Sequence, residues 1–303
     1  MVPIEITVII STFNRCQFLK EALESILSQE YDDGYFEIII VDNNSTDGTR
    51  ELVSGYSSAY PGIVKYVREE RQGLSNARNR GVQEAEGTIV AFIDDDATAD
   101  RGWLKGIMEV YENYPDAGVV GGRIEPVWLS KKPGWLTQNL EMSFGVLNYG
   151  NEIQELSFPK TPFGGNFSIK RVLFLALDGF CRNLGRRGDC LLSSEETLLC
   201  HLVEQNKKKL YYTPKAVVHH KILPERLNRR YLFKKAYTQG ISNVILEREL
   251  KQSQNVSWSN DFYDLKEMIK GSIRHLLSGK HNLLTEDIFT IYFISGKLRK
   301  RLE

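Results

Sequence analysis

The chain has 303 residues, 42% of them hydrophobic and 26% charged, which is enough to bury a core and excludes collagenous and disordered classes. Lysine plus arginine equals aspartate plus glutamate at 39 each, so no global charge points to nucleic acid. Four cysteines, at positions 16, 181, 190 and 200, lack Cys-x-x-Cys spacing, which disfavours a zinc knuckle or redox pair and fits a reducing compartment.

The start, Met1-Val2-Pro3-Ile4-Glu5, leads straight into a strand pattern without a signal peptide's basic and apolar regions, so a cytoplasmic location is expected. No run is long and apolar enough to span a membrane. On that reading Asn44-Ser45-Thr46, Asn166-Phe167-Ser168 and Asn255-Val256-Ser257 match the glycosylation pattern by chance. Ile4 to Ile10 is a β-branched run. Phe18, Ala22, Leu23, Ile26 and Leu27 then give helical spacing over 17–29. Strand patterns at 36–41, 63–67 and 88–93 alternate with helical ones at 51–56 and 74–85. Continuous apolar strands separated by helices imply an α/β fold with a mostly parallel sheet covered on both faces. Ligands of such sheets bind beyond the carboxyl ends of the strands. Those ends carry Ser11-Thr12-Phe13-Asn14, Asp42-Asn43-Asn44 and Asp94-Asp95-Asp96.

The three adjacent carboxylates repel one another and call for a cation. In extended chain Asp94 and Asp96 would point one way and Asp95 the other, an Asp-x-Asp pair suited to Mn²⁺ or Mg²⁺ bridging to phosphate. Further on, Gly121-Gly122, Pro126, Pro133-Gly134 and the prolines at 159 and 162 predict loops with a few mixed strands. Ser193 to Gln205 reads as a helix that opens with Glu195-Glu196. Its N-terminal dipole should favour ionised carboxylates, the form that deprotonates a hydroxyl. Leu210 to His220 reads as a strand broken at Pro214, and the chain is helical from about Leu227 to its end.

Ser11-Thr12-Phe13-Asn14-Arg15, the run from Val41 to Thr49, Gly73-Leu74-Ser75-Asn76-Ala77-Arg78-Asn79 and the segment from Phe92 to Asp96 together resemble a family 2 glycosyltransferase over about residues 4–225. The resemblance implies a GT-A fold: a Rossmann-like nucleotide-binding sheet, mostly parallel, followed by a mixed acceptor-side region. It also implies a nucleotide-sugar donor, a divalent cation and inversion at the anomeric carbon. The domain boundaries follow: a donor half at about 1–125, an acceptor half at about 126–225 and a helical C-terminal extension at 226–303. Ser11, Thr12, Asn14 and Arg15 are placed to meet the nucleotide, with Asp42 accepting from a uracil or ribose edge. Leu74 and Ser75 open the helix whose Arg78 could pair with diphosphate. Asp94 and Asp95 complete the donor set, and Asp47 caps the helix that follows it.

By the same resemblance Asp96, helped by Asp94, holds the metal, and the Val-x-His-x-Val pattern selects His220 over His219 as a further ligand. The family carries a Glu-Asp pair where this chain has Glu195-Glu196, its second acid serving as base. That favours Glu196, with Glu195 left open. Pro162 to Ser168 resembles the acceptor-side strand and points to Gly164, Gly165 and Asn166 as acceptor contacts. Asp178 would replace an acid that the family has where this chain has Cys181. Trp128 and Trp135 offer faces for a sugar ring. The reading is therefore a transferase that moves a sugar, most simply UDP-linked, to a carbohydrate or lipid-linked hydroxyl. A nucleotidyltransferase would need glycine in the loop from Ser11 to Cys16, which has none, and intact acids argue against a non-catalytic binder. The basic clusters Arg226, Arg229, Arg230, Lys234, Lys235 and Lys297, Arg299, Lys300, Arg301 could bring the tail to the inner face of a membrane. Dimerisation through the tail is the other expectation.

Overall fold

The computed structural model describes residues 3–32, 35–250, 258–278 and 281–303, so the glycosylation tripeptide at Asn255 lies outside the described residues. Strands β1 (Ile6–Thr12), β2 (Phe36–Asp42), β3 (Val64–Arg68) and β4 (Ile89–Asp94) alternate with helices α1 (Cys16–Leu27), α2 (Thr49–Ala59) and α3 (Leu74–Glu84). They form a parallel layer in the order β3-β2-β1-β4. Period-two alternation sends Ile6, Val8, Ile10, Ile38, Ile40 and Ala91 into the core beneath α1. It sends Ile9, Ile39, Val41, Val90 and Phe92 into the core beneath α3. Both faces are covered, which is why the strands read as continuous apolar runs.

The chain continues through β5 (Ala97–Ala99), α4 (Trp103–Asn113), β6 (Ala117–Trp128), α5 (Gln138–Glu141), β7 (Gln154–Leu156), β8 (Asn166–Lys170), α6 (Arg171–Ala176), α7 (Glu195–Gln205) and β9 (Lys209–Ile222). Here the sheet turns antiparallel: β8 pairs with β4 and β6, and β9 pairs with β5 and β7. This is the mixed α/β architecture expected from the sequence, with one correction. Pro214 does not break β9, because it falls between the stretch paired with β7 (Leu210 to Tyr212) and that paired with β5 (Val218 to His220).

The chain divides into two compact units. The first comprises the sheet and its helices: residues up to 127, 145–182 and 195–221. The second adds residues 128–144 and 183–194 to the tail that starts at 222, so the boundary expected at 225 is not where one compact body ends. Leu136, Leu140, Phe144, Ile222 and Leu232 share one small core in this second unit. Its long helices are α8 (Arg229–Glu249), α9 (Trp258–Leu277) and α10 (His281–Leu302). Asn228 caps α8 by accepting from the Tyr231 amide. A Cβ on Gly240 of α8 would stand 1.9 Å from the Phe293 carbonyl oxygen, and one on Gly296 of α10 would stand 1.9 Å from that of Tyr237. Two glycines thus let these backbones touch. Among the described residues, no helix is long and apolar enough to cross a membrane.

Candidate active site

The polar ends of β1, β2 and β4 converge in the first unit. Asp95 and Asp96 sit in a turn directly after β4, so the alternation expected for extended chain fails. Instead Arg15 Nη1 donates to both Asp95 Oδ1 (3.1 Å) and Asp96 Oδ2 (2.8 Å), and the Thr12 hydroxyl donates to Asp95 Oδ2 (2.8 Å). Burial pushes the Asp95 carboxyl up to about 6, an effect that Arg15 only partly offsets. Burial alone would lower the Arg15 guanidinium, yet the two carboxylates raise it above its ordinary value. Arg15 therefore neutralises the aspartates rather than standing free for a donor. Ser11 Oγ is buried with no protein partner and remains a candidate donor contact.

Pairing of β5 with β9 sets Ala97 opposite His220 and Thr98 opposite His219. This register brings His220 Nε2 to 3.3 Å from Asp96 Oδ1. His219 faces elsewhere, with Nε2 2.8 Å from Asp100 Oδ1. The Lys221 amide donates to the Asp96 carbonyl (2.9 Å), closing the turn. Asp96 and His220 thus present a carboxylate and an imidazole at one point. Among the described residues no group of three or more His, Cys, Asp or Glu side chains is gathered for a metal.

Asp94 points away from that pair. Its Oδ1 accepts from Arg78 Nη2 (3.0 Å), which also donates to the Gly164 carbonyl (3.0 Å), while Nη1 donates to Glu195 Oε1 (3.1 Å). The guanidinium lies 5.8 and 5.6 Å from the ring centres of Phe92 and Phe180, and Arg78 is only 3% exposed. Expected to pair with diphosphate, Arg78 lies here between rings and binds two carboxylates and one carbonyl. Gly164 and Gly165 are glycine for the same reason. A Cβ would stand 2.6 Å from Arg78 Nη1 at the first and 2.8 Å from Asp94 Oδ2 at the second.

Glu195 and Glu196 open α7. Each has an Oε2 that is buried without a hydrogen-bond partner. Burial, reinforced by the charge of Glu195, pushes the Glu196 carboxyl up to about 8. The helix dipole was expected to keep it ionised, but desolvation outweighs a term usually worth about 1 kcal/mol or less.

Other expected contacts are structural. Asp42 Oδ1 accepts from the Ser45 amide (2.7 Å) and Oδ2 from the Tyr66 hydroxyl (2.8 Å), which favours its turn-making role. Asn14, at φ 53°, accepts from the Thr46 amide (2.7 Å). Asn166 is fully buried, and its amide joins Trp103 Nε1 (2.9 Å), the Arg123 carbonyl (2.9 Å) and the Ala216 carbonyl (2.8 Å), so it cannot reach an acceptor. Leu74 and Ser75 begin α3 behind Gly73, whose φ of 136° only glycine takes easily and whose amide donates to Asn43 Oδ1 (2.8 Å). Asp178 is exposed in the turn after α6, at φ 59°. Trp128 belongs to the second unit, 6.4 Å from Phe144 between ring centres, and Trp135 lies there under the Arg229 guanidinium. Asp47 caps two helices at once, accepting from the Cys16 amide (3.0 Å) and the Thr49 amide (3.1 Å). Sequence reasoning missed Asn43, Asn79, Phe92 and Phe180 as supports. Asn79 donates to the Phe180 carbonyl (2.8 Å) and accepts from its amide (2.9 Å), fixing the ring against Arg78.

Comparisons with known proteins bear on the family and the fold. The model of glycosyl transferase family 2 matches residues 7–174. A glucosyl-dolichyl phosphate glucuronosyltransferase of Haloferax volcanii is 30% identical over 248 residues, 80% of this chain and 77% of the relative. A GalNAc(5)-diNAcBac-PP-undecaprenol beta-1,3-glucosyltransferase of Campylobacter jejuni is 30% identical over 258 residues, 83% of this chain and 77% of the relative. Among solved structures, a mannosyltransferase of Pyrobaculum calidifontis in complex with GDP-Man and Mn²⁺ superposes with a TM-score of 0.66 at 19% identity, covering 98% of this chain and 87% of that one. This last likeness is one of fold.

Proposed function

The chain belongs to glycosyl transferase family 2, and from that premise we propose that it transfers a hexosyl group from a nucleoside diphosphate sugar to the hydroxyl of a lipid-linked glycan, with inversion. The observation that carries the reading is the junction made by Arg78, which ties Glu195, at the start of α7, to Asp94, at the end of β4. The proposed base, next to Glu195, is thereby held near the strand end that leads into Asp95 and Asp96. The lipid-linked acceptor is supported by relatives whose names specify dolichyl phosphate and undecaprenol diphosphate carriers.

Glu196 is the base. Glu195 is committed to Arg78 through its Oε1, whereas Glu196 has a raised proton affinity, which matches it to accept a proton near neutral pH. Removing that proton from the acceptor hydroxyl as it attacks the face opposite the diphosphate gives inversion in one displacement. Asp96 and His220 are the residues that would hold a divalent cation. The carboxylate oxygen suits Mn²⁺ or Mg²⁺, and the imidazole adds a nitrogen donor beside it. Such a cation supplies Lewis-acid stabilisation to the departing diphosphate. The protein's own share is to orient: Arg15 and Thr12 hold the aspartate turn, and Arg78 holds Glu195.

A panel of UDP- and GDP-sugars, scored for diphosphate release with Mn²⁺ and with chelator, tests the reading. Turnover of one donor that needs Mn²⁺ and is lost in Asp96→Ala is expected. Tight donor binding with no release under any condition would leave a sugar-nucleotide binder instead.

A further inference from the structure

Part of the basic C-terminal cluster expected to meet a membrane is spent inside the second unit. Lys297 and Arg301 are both tied to Asp261, at 2.7 and 2.5 Å, and Arg301 also reaches Glu247 at 2.6 Å. Leu232 is fully buried, and Phe233 stacks on Tyr292 with 5.1 Å between ring centres. The exposed apolar surface lies elsewhere, on α9. Ile269, Ile273 and Leu276, four and three residues apart, stand on one face and are 44, 54 and 54% exposed, with Leu277 beside them at 83%. Such spacing makes a continuous stripe along a helix. None of the described residues covers it.

Beside this stripe runs a second row, Tyr263, Lys266, Lys270 and Arg274, at three- and four-residue steps, all exposed. Of the acids on α9, Glu267 is exposed and pairs with Lys270 at 2.6 Å, Asp264 is exposed about half a turn round the helix from the stripe, and Asp261 faces inward. We propose that α9 lies flat on an anionic lipid surface, its isoleucine and leucine stripe among the acyl chains and its lysine and arginine row at the phosphates. Charge complementarity selects this occupant. A stripe meant for a second protein copy does not need three cations along one edge, whereas an interfacial helix uses long basic side chains to cover its apolar flank and meet phosphate. The contact holds whatever sugar is transferred, and its test needs no turnover.

The test is co-sedimentation of the full chain with phosphatidylcholine vesicles, with and without phosphatidylglycerol. Pelleting with the anionic vesicles that weakens with added salt is expected. Ile273→Glu with Leu276→Glu should abolish it without changing thermal unfolding, because both side chains are exposed. Lys266→Gln and Lys270→Gln, which leave the stripe's own side chains unchanged, should each weaken binding about fivefold. A wild-type chain that stays in the supernatant at low salt would overturn the proposal. So would either set of variants pelleting like wild type. A wild-type dimer that the Glu variants dissociate would assign the face to a second copy.

Discussion

At the scale of single residues, Glu196 carries opposing demands. Its carboxyl rises from the ordinary 4.5 to about 8, so the folded chain binds this proton more tightly than the unfolded one. The stabilisation is full below about pH 4.5 and is lost as pH rises through about 8. Glu196→Gln should therefore gain thermal stability relative to wild type at pH 8 and above, while kcat falls by about a thousandfold. Since the base must be unprotonated, wild-type kcat/KM should rise with pH and level off above about 8. A flat profile from pH 6 to 9 would remove Glu196 from the role. Arg78 makes a contrasting case. Replacing it by methionine leaves Glu195 buried without its counter-charge, which should cost about 3 kcal/mol of stability, read from denaturant unfolding. If Arg78 met the donor instead, its loss would raise donor KM and leave stability nearly unchanged. The types and positions of these residues were legible in the sequence, but their partners were not. Asn166 and Arg78 looked like ligand contacts because burial is a property of the packed chain, and no local pattern reports it.

Elements show how register turns residues into a site. The pairing of β5 with β9 selects His220 over His219, since adjacent residues on a strand face opposite ways. The sequence supplied two histidines at a strand end, and the family pattern chose the one that the register places beside Asp96. By contrast, the alternation argument failed for Asp94, Asp95 and Asp96 because β4 ends at the first of them and the chain turns. In the helical unit, Leu232, Ala236, Gly240 and Val244 form one row at four-residue spacing on the buried face of α8. Gly240 and Gly296 were not singled out from sequence, since a helix-interior glycine carries no sign of what lies opposite it. Gly296→Ala would push a methyl group against the Tyr237 carbonyl and should destabilise the unit by about 1–3 kcal/mol, seen as a lowered thermal transition. An unchanged transition would mean that α8 and α10 do not approach so closely.

Across the whole molecule, chain order and compact units part ways. A protein cut after residue 225 would keep Leu136, Leu140 and Phe144 but lose Leu232, with which they share a core. That truncation should be poorly soluble and bind a hydrophobic dye, whereas a stable, soluble product would show that the first unit needs nothing from the tail. What the sequence determined by itself was the parallel layer, the polar strand ends and the family. Continuous apolar strands, helical periodicity and short motifs are local signals that survive in any packing. The tertiary structure alone decided which charges are spent on one another, which glycines face backbone, and how distant segments share a core. These depend on desolvation and close approach between residues far apart in the chain, and neither exists until the chain has folded.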